Sequence, residues 1–175
     1  MYDTLSTVAG QFFGLTALLL SVLAFSSRRD DRLMVLLLAA NVAFALQFAV
    51  FQSWTAAALS LLVLVRIALA RRYPRNTAVM AAVLTASLLA AVLTWQGWAD
   101  LPAVAAMVLG TVGMFLLRDI PMRVFLGLAA VAWTLSHLIV GSVGGALAEM
   151  MIIVTNAVTV YRLYRARRRY PGVFD

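Results

Sequence analysis

The chain has 175 residues, of which 64% are hydrophobic and 12% charged, with a mean hydropathy of +0.96. A soluble domain is about half apolar and about a quarter charged, so this composition excludes an ordinary soluble protein and points to spanning segments joined by short loops. Cysteine is absent, which removes disulfides, thiol chemistry and Cys-based metal sites, and the net charge of +7 rests on fourteen arginines without a single lysine.

A bilayer core about 30 Å thick takes about 20 helical residues to cross. Seven stretches meet or approach that length. Helix 1 is expected over Leu5–Phe25, helix 2 over Leu33–Phe51 and helix 3 over Thr55–Ala70, the last a little short. Helix 4 follows over Thr77–Trp95, and helix 5 over Pro102–Leu117, with proline in a first turn where its missing N–H costs nothing. Helix 6 is expected over Met122–Val140 and helix 7 over Ala146–Tyr164, ending in a basic tail. The N-terminus carries Asp3 and no basic stretch, so a cleaved signal peptide is not expected.

The loops alternate in charge. Arg28, Arg29 and Arg32 lie in the first, Arg71, Arg72 and Arg75 in the third, Arg118 and Arg123 around the fifth, and Arg165, Arg167, Arg168 and Arg169 in the tail. The intervening loops, Gln52–Trp54, Gln96–Leu101 and Gly141–Gly145, hold no basic residue. With seven helices, thirteen of the fourteen arginines fall on one side. The positive-inside rule makes that side cytoplasmic, with the N-terminus outside and the C-terminus inside. Trp54, Trp95 and Trp98 fall near the outer helix ends, where amphipathic rings favour the interface. The basic charge is therefore assigned to topology, and nucleic acid is not expected as a partner; the lipid bilayer is.

The chain also repeats itself. Shifted by 89 positions, Arg29–Ser60 lies without a gap on Arg118–Glu149. Arg29 matches Arg118, Asp30 matches Asp119, and Ser53 matches Ser142. The apolar identities between them are the kind any two membrane helices share, so the Arg-Asp pair and the gapless register carry the signal. Helices 1–3 and 5–7 thus read as two similar units. Three crossings reverse direction, and helix 4 restores it, giving two parallel triple-helix bundles joined by a linker helix (3+1+3). The expected fold is an all-α membrane protein with a first bundle over residues 1–72, a linker helix over 73–98, a second bundle over 99–164 and a basic cytoplasmic tail over 165–175. Helix 4 suits the linker role, since its only polar groups are Thr77, Thr85, Ser87 and Thr94.

Ionisable groups inside a span cost about 2.5–3.5 kcal/mol at mid-helix on insertion scales, so each is a candidate for function. Arg66 lies five residues before Arg71, close enough to snorkel to the headgroups as a topology anchor; it could equally face a cavity as an anion or dipole partner. Glu149 is the only acid in any span. It is either a solvated carboxylate at a helix start or part of a solute pathway. Asn156, two turns on, shares its face, and Ser60 occupies the position of Glu149 in the first unit. His137 is the only histidine, with Trp133 one turn before it. It could be an interfacial hydrogen-bonding residue, a pH-sensitive gate or a ligand contact. Gln11, Asn41 and Gln47 are uncharged polar groups that serve either helix packing or a cavity, while Gly10 and Gly14 permit close helix approach. No catalytic motif, phosphate loop or metal-ligand cluster is present, so neither enzyme activity nor a metal or other cofactor is expected. Asp30 and Asp119, beside arginines, suggest exposed ion pairs of little energetic weight.

On the residues Gln11-x-x-Gly14, Arg29-Asp30-x-Arg32, Arg66, Trp133, the run Gly141-Ser142-Val143-Gly144-Gly145, Glu149, Asn156 and Arg162, the chain resembles the YgjV family of bacterial inner-membrane proteins over nearly its whole length. The family pattern carries a His-Asn pair where this chain has Ser136-His137, so a histidine role carried over would shift by one residue. The resemblance implies a multi-pass protein of the bacterial inner membrane. In architecture the chain also resembles the SWEET sugar transporters and the PnuC vitamin transporters, which implies a solute path between two bundles. It lacks the Pro-Gln motif of the related PQ-loop proteins, and helix 1 has no proline to serve as a hinge. The expected function is movement of a small polar or weakly charged solute, unidentified by the sequence. Glu149 and Asn156 would line one wall, Arg66 and Ser60 the other, and Trp133 and His137 the outer mouth. The rival reading is a non-transporting membrane subunit or scaffold, with a dry interior. A homo-oligomer is compatible with either.

Overall fold

Long apolar runs punctuated by polar turns form seven helices in the computed structural model, which describes residues 4–26 and 30–169. They are α1 (Thr4–Ser26), α2 (Asp30–Val50), α3 (Trp54–Arg72), α4 (Thr77–Thr94), α5 (Leu101–Leu116), α6 (Asp119–Ile139) and α7 (Val143–Arg169). A single 3-10 turn, Trp98–Asp100, leads into α5, and no strand occurs among the described residues. Arg28, Arg29 and the tail beyond Arg169 lie outside them. Among the described residues six helices are long and apolar enough to cross a membrane, and α2 contributes a shorter apolar stretch, Val35–Val50. The main departure from the expected bounds is α7, which starts at Val143 rather than Ala146 and continues past Tyr164. Gly144 and Gly145 are therefore helical.

The polar turns show why helices stop where they do. After α2, Gln52 takes a left-handed conformation (φ 55°), its N–H bonds to the Ala49 carbonyl at 2.9 Å, and the Ser53 N–H reaches back to the Phe48 carbonyl at 2.8 Å. After α6, Gly141 takes φ 76°, its N–H bonds to Leu138 at 3.1 Å, and the Ser142 N–H bonds to His137 at 2.8 Å. Both are Schellman turns, in which a left-handed residue lets two N–H groups satisfy the last helical carbonyls. Gln52 and Gly141, and Ser53 and Ser142, stand 89 positions apart. At the other end of the molecule Asn76 caps α4 by accepting the Val79 N–H at 3.0 Å.

The helices close into a ring. Each of α1, α2 and α3 packs on the next, α3 packs on α5, α5 on α6, α6 on α7, and α7 returns to α1. α4 sits outside, against α3 and α5, with 17% of its span buried against 44% for those two neighbours. Alanine dominates the buried positions, among them Ala17, Ala24, Ala40, Ala56, Ala103 and Ala148. Small side chains let helices approach closely where lipid gives no hydrophobic drive for association. Larger residues, Phe48, Leu59, Met107, Phe115 and Trp133, fill the core shared by α2, α3, α5 and α6. Leucine and valine on the outer faces, such as Leu19, Leu93 and Val154, stay exposed for lipid.

Candidate functional site

Inside the ring lies a cavity of about 430 Å³ lined from all six helices of the ring, α5 contributing Met114. Ser21 comes from α1, Asn41 and Phe44 from α2, Arg66 and Arg71 from α3, Arg123 and Trp133 from α6, and Glu149 and Asn156 from α7. Five residues singled out from the sequence thus share one space: Asn41, Arg66, Trp133, Glu149 and Asn156.

Arg66 is 6% exposed and turns inward. Its guanidinium lies over Gly110 of α5, where a side chain would collide with it, and one Nη reaches the Met107 sulfur at 3.6 Å. Its Nε has no hydrogen-bond partner among the described residues. The headgroup-anchor reading of Arg66 is therefore replaced: the charge is spent on the interior. Glu149 is 8% exposed and sits two turns into α7, because that helix begins earlier than the glycines suggested. It is not a solvated helix start. Glu149 and Arg66 interact electrostatically, yet among the described residues no direct ion pair joins them. Asn156 and Asn41 donate to carbonyls one turn back, Ile152 at 3.1 Å and Leu37 at 2.9 Å, which holds both amides against their own helices.

The cavity continues toward the arginine-rich end. It shares Arg71, Met114 and Leu126 with a neighbouring space of about 450 Å³ whose walls include Pro74, Arg118 and Asp119. Toward the arginine-free end it is closed. The His137 ring stacks on Phe48 (centroids 4.5 Å apart) and leans on Phe44 (4.9 Å), while Phe48 lies 5.9 Å from Trp133. His137 is 1% exposed and covers Gly145, and its Nδ1 has no partner among the described residues.

Two polar clamps back this aromatic plug. The Gln11 side chain donates to the Gly141 carbonyl at 2.7 Å and accepts the Val143 N–H at 3.2 Å, tying α1 to the start of α7. The Gln47 amide donates to the Ser142 hydroxyl, which also accepts the Gly145 N–H at 3.0 Å. Gly14 and Gly144 bring the α1 and α7 backbones into direct contact there. The second clamp is built on Asp100, which is 89 positions from Gln11. Its carboxylate accepts the Gln96 N–H at 2.8 Å and lies 2.8 Å from the Thr55 hydroxyl, tying the start of α5 to the start of α3.

Of the remaining sequence candidates, Gln11, Gln47 and His137 thus belong to the closed end, and Ser60 is buried in α3 away from the cavity wall. Sequence reasoning passed over Ser21 and Asp100. Ser21 and Gly110 match each other in the 89-residue shift, as do Gln11 and Asp100. The register alone could have drawn attention to both pairs. Among the described residues no three His, Cys, Asp or Glu side chains converge as a metal site would need.

The family model of a bacterial inner-membrane protein family, Imp-YgjV, matches residues 8–167. No curated protein and no solved structure matches the chain. The match spans nearly all of the sequence, and the chain belongs to this family of the bacterial inner membrane.

Proposed function

We propose that this inner-membrane protein moves a small polar solute through the centre of its helical ring. The observation that carries the reading is the cavity itself, which holds a buried cation and a buried acid, opens toward one end and is plugged at the other. A subunit or scaffold would gain more stability from a dry, fully packed interior, since unpaired buried charge is costly. A catalyst would need acid, base and nucleophile at one depth, and His137 belongs to the plug and not to the cavity wall that carries Glu149. The arginine-rich end is cytoplasmic by the positive-inside rule, so this conformation faces the cytoplasm, with the N-terminus outside.

The 3+1+3 reading has support of its own. The two Schellman turns, the Gln11 and Asp100 clamps, and the pairing of α1 with α7 and of α5 with α3 all exchange under the 89-residue shift. Two parallel units related by an axis along the membrane normal would produce that exchange, with α4 as the connecting span. Such a pair of bundles can rock about a central site.

The decisive experiment is uptake into liposomes containing the purified protein, comparing wild type with Glu149→Gln. The glutamine keeps the shape and removes the charge. Uptake should fall at least tenfold, or its pH dependence should change. Equal uptake at equal incorporation would remove Glu149 from the mechanism, and no uptake by wild type of any solute that binds it would return the subunit reading.

A further inference from the structure

We infer that the solute is a zwitterion of amino-acid size, its carboxylate held by Arg66 and its ammonium by Glu149. The inference rests on the cavity reading above and names the chemistry of its occupant. Three observations converge on it.

First, Arg66 is a buried cation that its own fold leaves unsatisfied. A guanidinium carries five N–H donors and takes a carboxylate in a two-pronged grip. Here one Nη has only a thioether sulfur and Nε has no partner. Gly110 clears the space in which the group lies, because a side chain there would fall on the guanidinium. Second, Glu149 lines the same cavity and makes no hydrogen bond or direct ion pair among the described residues. Had the two been present only to neutralise each other, direct pairing would be the cheapest arrangement, because breaking a buried pair costs about 3–5 kcal/mol. Opposite charges held in one cavity without contact suit a molecule that bridges them with charges of its own. A singly charged solute would satisfy one group and leave the other exposed to a low-dielectric wall. A zwitterion satisfies both and keeps the filled cavity neutral.

Third, the surroundings fit the rest of such a molecule. The volume of about 430 Å³ lies in the lower part of the range for small-molecule sites. Phe44 and Trp133 form an apolar wall beside the charges, and Asn41 and Asn156 offer amides. At the open end three arginines, Arg71, Arg118 and Arg123, outnumber the single acid Asp119, so the net positive charge would draw in a carboxylate and repel a solute that is only cationic.

The test is thermal melting and calorimetric titration of the purified wild-type protein with leucine, phenylalanine, glutamine and 6-aminohexanoate. Each is paired with its N-acetyl form, which lacks the ammonium, and its carboxamide, which lacks the carboxylate. At least one parent compound should raise the melting temperature by binding the folded state. Both blocked forms should bind roughly tenfold or more weakly, as expected when one charged bond is lost. Arg66→Gln should abolish the shift. Glu149→Gln should erase the preference for the parent over its N-acetyl form, a change that mere loss of folding would not produce. Arg66→Lys and Glu149→Asp keep the charges and should retain the preference if the glutamine variants fail to fold. A panel without any shift, or an N-acetyl form that binds as well as its parent, overturns the inference. Binding of a zwitterion without uptake into liposomes would sink the transport reading and leave this one intact; uptake of a solute lacking either charge would do the reverse.

Discussion

Replacing Gly144 by alanine tests the contact that seals the arginine-free end. A Cβ on Gly144 would stand 2.5 Å from the Leu15 nitrogen and 2.7 Å from the Gly14 oxygen, both backbone atoms of α1. No rotamer can relieve a clash with backbone, so α1 and α7 must move apart by about the difference from ordinary van der Waals contact, on the order of 1 Å. Overpacking of this kind costs about 1–3 kcal/mol. The separation also stretches the two Gln11 bonds across the same interface, each worth about 0.5–1.5 kcal/mol. Against this stands a helix-propensity gain of less than about 1 kcal/mol, reduced further in a first turn. The net expectation is a loss of about 2 kcal/mol, read by equilibrium unfolding in mixed detergent micelles. Gly127→Ala is the control: its Cβ would meet only the Asn156 Cβ at 3.9 Å, so the propensity gain should appear undiminished. A Gly144→Ala protein as stable as wild type, or a control that loses more, would refute the claim that α1 and α7 meet backbone to backbone.

Gly110→Ala places a Cβ 2.8 Å from the Arg66 Cζ, but the guanidinium is the far end of a flexible side chain and can swing away. Folding should survive or improve by up to about 1 kcal/mol, while affinity for a carboxylate-bearing solute falls by one charge-assisted bond, about 1.5–3 kcal/mol or roughly ten- to hundred-fold; titration and melting on the same sample separate the two effects. His137→Phe keeps the stack with Phe44 and Phe48 and removes a buried nitrogen that lacks a partner. Stability should hold or rise, and the pH profile of uptake should not move; a displaced profile would make His137 the pH-sensitive gate after all. Gln52→Gly relieves a left-handed residue in the α2–α3 turn and should stabilise by about 1 kcal/mol in the same micellar unfolding assay, whereas a loss would mean that the Gln52 side chain holds that turn.

The number of helices was legible because hydropathy and loop charge depend on local sequence alone. Where the reading slipped, it slipped on groups whose meaning depends on a distant neighbour. The glycines after Gly141 look like a loop, yet Gly144 and Gly145 are helical because α1 and the His137 ring occupy the space a side chain would fill. Arg66 is near enough to the helix end to snorkel, and only the presence of Gly110 and Met107 across the α3–α5 contact shows that it turns inward. Glu149 and Asn156 were placed correctly on one face, since a seven-residue spacing fixes that within a single helix. His137, expected at the outer mouth, and Gln47, expected along the path, both lie at the arginine-free end beyond the cavity wall. Depth separates them: one turn of α2 and one turn of α6 carry them from the cavity wall into the plug.

That single-turn spacing bears on how a path could open. Phe44 and Trp133 face the cavity, and Phe48 and His137, one turn further along the same two helices, close it. Aromatic pairs contribute about 0.5–1.5 kcal/mol beyond their buried area, so parting the stacked rings is a modest cost beside the energy of satisfying two buried charges. The firmer resistance lies in the clamps behind them. Gln47 on Ser142 and Gln11 on the α7 turn hold α1, α2 and α7 together, with Gly14 and Gly144 in backbone contact. On the other side of the ring the match to Gln47, Ser136, has no hydrogen-bond partner among the described residues, and a pocket of about 190 Å³ lies beside it between the α2–α3 turn and Asp100. The two halves share a plan but not a tightness. A motion that opened the arginine-free end would therefore meet its firmest resistance across the seam of glycines between α1 and α7.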